Sequence, residues 1–265
     1  MLAIMAGQGQ LPAMLAASQE DTPLICALEA FQPEGIEADI LFHIETLGTL
    51  LNDLKDRGVT QVCFAGAIRR PPVDPSRIDA ATWPLVPVLQ KAILAGDDSA
   101  LRAMLGVFEN AGFQVVGAHE VMPNLLPQSG VLSRVQPDDR ATKDAARAAV
   151  VLAAMSDGDV GQACVVQSGQ VLVVEGSFGT DWMLETLQNR PDGRDGGLLC
   201  KAPKVGQDRR MDLPAIGVDT VENAQRAGLD GIVIEADGVM VLDLPAVIDA
   251  CDAADMLFWV QRPDA

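Results

Sequence analysis

Leu2-Ala3-Ile4-Met5-Ala6-Gly7-Gln8-Gly9-Gln10-Leu11-Pro12 follows Met1 and decides how the first half of the chain is read. Leu2 to Ala6 are apolar throughout, as in a strand buried on both faces. The glycines then make a tight turn, and Pro12 suits the first turn of a helix running to about Ser18. Strand, turn and helix recur downstream. Leu24–Leu28 reads as a second strand. Glu45 to Arg57 has helical spacing and stops at Gly58. Gln61–Ala65 is a third strand, closed by Gly66. Pro71, Pro72, Pro75, Pro84 and Pro87 predict a stretch poor in regular structure. Ser99 to Ala111 reads as a helix capped by Asp97 or Asp98 and ended by Gly112, and Phe113 to Val116 as a short strand. This alternation predicts α/β, with an N-terminal Rossmann-like parallel sheet domain.

Residues 123–139 are rich in Pro, Gly, Gln and Asp, so the expected organisation is a domain over 1–125, a linker over 126–139 and a C-terminal α/β domain over 140–265. The second half opens with a helix from Arg140 to Met155. A hairpin follows, formed by Ala163–Val166 and Val171–Glu175 around Gln167-Ser168-Gly169-Gln170. Asp181 and Thr220 are candidate helix caps. Ile232–Glu235 and Met240–Leu242 read as a second hairpin across Ala236-Asp237-Gly238. A helix from Pro245 and a strand at Leu257–Val260 complete the pattern.

The net charge of −18 argues against a nucleic-acid partner, because phosphate backbones are bound by cationic surface. Any phosphate site must be local. Cys26, Cys63, Cys164, Cys200 and Cys251 are odd in number and widely spaced, with no CxxC, so neither a disulfide framework nor a zinc site is indicated; Cys63 and Cys164 read as small core residues, and reduced thiols fit a cytoplasmic location. The N-terminus lacks a basic region, and no segment approaches the ~18 apolar residues that span a bilayer.

Chemistry-bearing residues fall into constellations. Gly7-Gln8-Gly9 would let backbone N–H groups approach a phosphate, or is a plain tight turn. Gly66-Ala67-Ile68-Arg69-Arg70 follows a buried strand, where α/β sheets bind ligands; the arginines would grip a diphosphate or form an exposed basic loop. His119 and Glu120, in Gly117-Ala118-His119-Glu120-Val121, suit a base, a metal ligand or a phosphate donor, or a hydrogen-bonded structural histidine. Glu175 and Asp181 flank a turn with Gly179 and Thr180 that could hold a hard metal such as Mg2+. Lys201, Lys204, Arg209 and Arg210 alternate with Asp208 and Asp212 before Leu213-Pro214. This arrangement would neutralise a pyrophosphate beside an acid, or is a solvated charged loop.

In this order, these pieces resemble the LpxI family of UDP-2,3-diacylglucosamine pyrophosphatases found in bacteria such as Caulobacter. The matching stretches are Ala6–Pro12, Cys63–Pro71, Gly96-Asp97-Asp98, Gly117–Val121, Glu175-Gly176 with Gly179-Thr180-Asp181, and Lys201–Gly217. The resemblance implies cleavage of UDP-2,3-diacylglucosamine to 2,3-diacylglucosamine 1-phosphate (lipid X) and UMP in lipid A biosynthesis. It also implies a divalent metal, Mg2+ or Mn2+, water attack on the sugar-side phosphorus, and substrate in a cleft between two α/β domains. On it, Asp212 is the essential aspartate, a metal ligand with Glu175, and Lys201, Lys204, Arg209 and Arg210 are catalytic. Gly7, Gln8, Gly9, Gly66, Arg69, His119, Glu120, Gly179, Thr180 and Asp181 bind substrate. A lipidic substrate implies transient contact with the inner-membrane surface by a peripheral protein; the oligomeric state, a homodimer included, stays open. Two rival readings are a non-catalytic nucleotide-sugar or lipid-phosphate binding protein and a Rossmann-type oxidoreductase. The latter lacks the third glycine and has in Glu29 only a weak ribose acid.

Overall fold

The first strand, β1 (Leu2–Ala6), leads through α1 (Leu11–Ala17) to β2 (Leu24–Leu28); a short strand missed in the sequence pattern, β3 (Ile40–Phe42), follows. A 3-10 turn at Ile44–Thr46 runs into α2 (Leu47–Asp56) and β4 (Gln61–Ala65). The structure, a computed structural model, describes residues 1–68, 73–94, 97–191, 193–211 and 213–262, without the side chains of 92–94 and 97–99. The proline-rich stretch is more regular than its composition suggests. It holds 3-10 turns at Pro75–Arg77 and Trp83–Leu85 and then α3 (Val86–Leu94), because proline costs nothing in a first helical turn, where its missing N–H has no partner to lose. After α4 (Asp97–Asn110) come β5 (Gln114–Val116) and the single-turn α5 (Ala118–Val121).

Among the described residues these strands form a five-stranded sheet in the order β3-β2-β1-β4-β5, parallel throughout. Strand order reverses beside β1: its successors β2 and β3 lie on one side, β4 and β5 on the other. Ala3 to Ala6 are at most 3% exposed, which explains the unbroken apolar run. Leu47, Leu50, Leu51 and Leu54 of α2, with Val107 and Phe108 of α4, close one core; the Phe108 ring meets Phe64 edge-on at 5.1 Å.

The chain divides into two compact units, Met1–Pro123 with Asp208–Asp212, and Asn124–Gln207 with Leu213–Ala265. The second unit starts at Asn124 and takes in residues 126–139. There, β6 (Gly130–Val131) is paired antiparallel with the last strand of the chain, and Asp138 caps α6 (Asp139–Asp157) by accepting from the Ala141 N–H at 2.7 Å. β7 (Ala163–Gln167) and β8 (Gln170–Val174) make the expected hairpin, turned by Ser168 and Gly169 at φ 50° and 77°. α7 (Gly179–Leu187), β9 (Leu198–Lys201), β10 (Ala215–Ile216), α8 (Val218–Arg226), β11 (Gly231–Glu235), β12 (Met240–Val241), α9 (Leu244–Ala253) and β13 (Leu257–Gln261) follow. The larger sheet runs β6-β13-β11-β9-β7-β8, with β13, β11 and β9 parallel.

The second expected hairpin does not form. β11 stays in the middle of this sheet, while β12 leaves it to pair in parallel with β10, its Met240 N–H donating to the Pro214 carbonyl at 2.8 Å. A turn of suitable composition does not oblige its flanks to pair when β9 and β13 already occupy both edges of β11. Ile232, Ile234 and Val241 are all buried in one apolar cluster, so hydrophobicity alone could not separate the two arrangements. Asp181 and Thr220 also sit deeper in their helices than cap positions: Phe178 and Gly217 precede the first turns.

Candidate active site

Every strand of the first sheet points its carboxyl end to the same edge. Along that edge stand, in spatial order, His43 after β3, Glu29 after β2, Gly7–Gly9 after β1, Gly66 after β4 and Gly117–Glu120 after β5. The central turns are locked together. The Gly7 N–H donates to the Ala65 carbonyl at 2.7 Å, and Gln8 and Ala67 exchange N–H···O bonds at 2.9 Å in each direction. This closeness explains two of the glycines. A Cβ on Gly7 would lie 2.6 Å from the Ala67 carbonyl oxygen, and one on Gly66, at φ 89°, 2.6 Å from the Gln8 carbonyl oxygen. Gly9 differs: at φ 92° it has nothing within 4 Å of the Cβ position. Gly7 and Gly66 therefore hold protein against protein, while Gly9 leaves open space where the strand order reverses, the place at which open α/β sheets take ligands.

On the β5 side, the Glu120 carboxylate accepts from the Gly117 N–H at 2.8 Å and so tethers the single turn of α5. His119 folds its ring back on Gly117, where a Cβ would meet Cε1 at 2.6 Å. Its Nδ1 is buried and has no hydrogen-bond partner among the described residues, which costs about 1–3 kcal/mol unless a ligand satisfies it. Cys63, in the β4 core, has its thiol pushed up to about 12, first by burial and then by the Glu120 charge.

The charge-dense run beginning at Lys201 is divided between the units. Asp208 to Met211 pack with the first. Met211 joins its core, and the Arg209 carbonyl lies 3.3 Å from the Cβ position of Gly117. Arg210 is gripped by Asp208, at 2.8 and 3.0 Å, and by Glu109 of α4, at 2.6 Å. These carboxylates raise the Arg210 pKa; the Arg210 hydrogen bond, foremost, lowers that of Asp208. Arg209 is exposed. Lys201 and Lys204 pack with the second unit, where Lys204 Nζ meets Asp159 at 2.5 Å.

There the structure joins Glu175, Thr180 and Lys201. Lys201 Nζ donates to Thr180 Oγ1 at 2.8 Å and to the Ala215 carbonyl at 3.1 Å; Thr180 donates to Glu175 Oε1 at 2.6 Å; Glu175 Oε2 accepts from the Gln162 N–H at 2.7 Å. Asp181 instead accepts from Asn223 at 3.1 Å, and Gly179, at φ 82°, begins α7. Glu175 is 9% exposed, and each of its carboxylate oxygens accepts one hydrogen bond. Among the described residues no His, Cys, Asp and Glu side chains gather into a metal-holding group of three or more. Asp212, Arg69, Arg70 and Gly96 lie outside the described residues.

Residues 1–125 match the LpxI N-terminal domain and residues 128–259 the LpxI C-terminal domain. A protein of Caulobacter vibrioides, named UDP-2,3-diacylglucosamine pyrophosphatase LpxI, is 38% identical over 264 residues, covering 95% of this chain and 94% of its own.

Proposed function

Because the chain belongs to the LpxI family through both of its domains, we propose that it hydrolyses the pyrophosphate of UDP-2,3-diacylglucosamine to UMP and 2,3-diacylglucosamine 1-phosphate (lipid X), in lipid A biosynthesis. The observation that carries the reading is the open space at Gly9, beside two interlocked turns, where the strand order of the first sheet reverses. The nucleotide phosphate binds at that edge. His119 Nδ1, buried on the same edge and without a partner among the described residues, gains one when ligand binds.

In this proposal water attacks the sugar-side phosphorus. The bond from that phosphorus to the bridging oxygen breaks, and UMP leaves with the bridging oxygen. Asp212 orients the attacking water. Lys201, whose ammonium is fixed by Thr180 and Ala215, and Arg209 offset the developing phosphate charge. Arg210, already engaged by two carboxylates, acts by holding its segment in place. In this proposal the reaction takes place in the cytoplasm, at the inner-membrane surface. No described helix is long and apolar enough to cross a membrane.

Incubation with UDP-2,3-diacylglucosamine should release UMP. Asp212→Ala should abolish release while keeping the fold and UMP binding; near-normal turnover would remove Asp212 from the mechanism. A wild-type protein that binds the substrate and never yields UMP would be a binding protein instead. The metal requirement is checked separately: EDTA should stop turnover and added Mg2+ restore it.

A further inference from the structure

Glu29 stands directly after β2 and His43 directly after β3, on the edge that carries the glycine turns. His43 Nε2 lies 3.0 Å from Glu29 Oε2, and the Glu29 N–H donates to the Phe42 carbonyl at 3.1 Å, so side chains and backbone hold the two positions together. The Glu29 side chain is 59% exposed, and its other oxygen, Oε1, has no hydrogen-bond partner among the described residues. The loop after Glu29 is fastened at both ends. The Phe31 N–H donates to the Leu28 carbonyl at 2.9 Å, and the Glu34 N–H to the Gly9 carbonyl at 3.3 Å. Glu29 is thereby tied to the glycine turn, one strand spacing of about 4.8 Å from β1.

A carboxylate so near a phosphate site repels the ligand, most of all in a chain of net charge −18. The repulsion is offset if the same ligand offers it hydroxyl donors a few ångströms from its phosphates, and the ribose of a nucleotide does so. Resting on the nucleotide reading of this edge, we propose that Glu29 is a specificity-determining residue whose carboxylate accepts the ribose hydroxyls of the bound uridine nucleotide. His43 is the positioning residue that orients it.

The test compares direct binding of UMP and 2′-deoxy-UMP, alongside steady-state hydrolysis of UDP-2,3-diacylglucosamine. The wild type should prefer UMP by about tenfold, the value of one hydrogen bond to a charged acceptor. Glu29→Gln and Glu29→Ala should bring the two affinities together and raise KM with kcat within about twofold. His43→Ala should narrow the preference part-way. A wild type that binds both nucleotides equally, or a Glu29→Ala variant that keeps the full preference, overturns the inference while leaving the nucleotide site standing. Equal weakening of both nucleotides in Glu29→Ala also overturns it, since the carboxylate would then be reading the base. A wild type that binds neither nucleotide refutes the site reading itself, and the inference with it.

Discussion

At the residue scale, the glycines and acids that carry the family resemblance separate into those that hold the scaffold and those that leave room. Gly66→Ala forces a Cβ onto the Gln8 carbonyl at a left-handed φ of 89°, so it should cost about 2–3 kcal/mol and lower the melting temperature by several degrees. Unchanged thermal stability would contradict the packing argument. Glu175→Gln keeps the volume but loses a charged acceptor for the Gln162 N–H and Thr180. A loss of about 1–3 kcal/mol in chemical denaturation is expected. The buried thiols make a further check. Burial pushes Cys26, Cys164 and Cys251 up to about 12, as it does Cys63 with help from Glu120. The thiolate is the reactive form, so these thiols should resist a thiol reagent in the folded protein near pH 8 and react on unfolding. The sign for stability follows: a raised folded pKa contributes stability that is present below the ordinary thiol value of 9.0 and lost as pH rises above it.

At the element scale, the informative piece is the short segment Asp208 to Met211. Its charge alternation reads as a phosphate-neutralising loop, but the alternation partly serves to anchor it: Asp208 and Glu109 close on the Arg210 guanidinium from two sides. Arg210→Ala should cost about 1 kcal/mol, since the side chains remain partly exposed, and should raise proteolytic cleavage or amide exchange in this segment. A double-mutant cycle with Glu109→Ala measures the coupling, and a coupling of zero would dismiss the anchor. Asp144 of α6 shows what periodicity hides. It is 2% exposed, and its carboxylate accepts from the Ser168 and Gly169 N–H groups at 2.8 and 2.6 Å, fixing the β7–β8 turn to the helix. Nothing in its sequence neighbourhood marks it out from the solvated acids of the same helix. The β7–β8 hairpin was legible because its turn is local and its strands are adjacent; the pairing of β12 with β10 was not, because it depends on which edges are already taken.

At the scale of the whole molecule, the described carboxylates with lowered pKa values, Asp74, Asp79 and Asp208, all belong to the first unit. Asp74 is held down chiefly by Ser76 and Asp208 by Arg210; at Asp79 burial opposes the shift and hydrogen bonds from Thr49 and Thr82 outweigh it. A depressed folded pKa contributes stability that is present above the ordinary value of 3.8 and lost as pH falls below it. Acidification should therefore loosen the first unit first. A variant keeping only Trp83, in the first unit, should change its fluorescence at higher pH than one keeping only Trp259, in the second; the opposite order would refute this. The sequence by itself determined the strands that are apolar on both faces, the glycine-ended turns after β1 and β4, and the family, because burial, turn geometry and ordered motifs are recorded locally along the chain. Only the tertiary structure decided that Gly7 and Gly66 press backbone on backbone, that Glu29 meets His43, that Glu175 accepts from Gln162 and Thr180, and that Arg210 is spent on an anchor. Each of those depends on which distant atoms arrive within about 3 Å, the range over which a hydrogen bond is made or a Cβ is excluded.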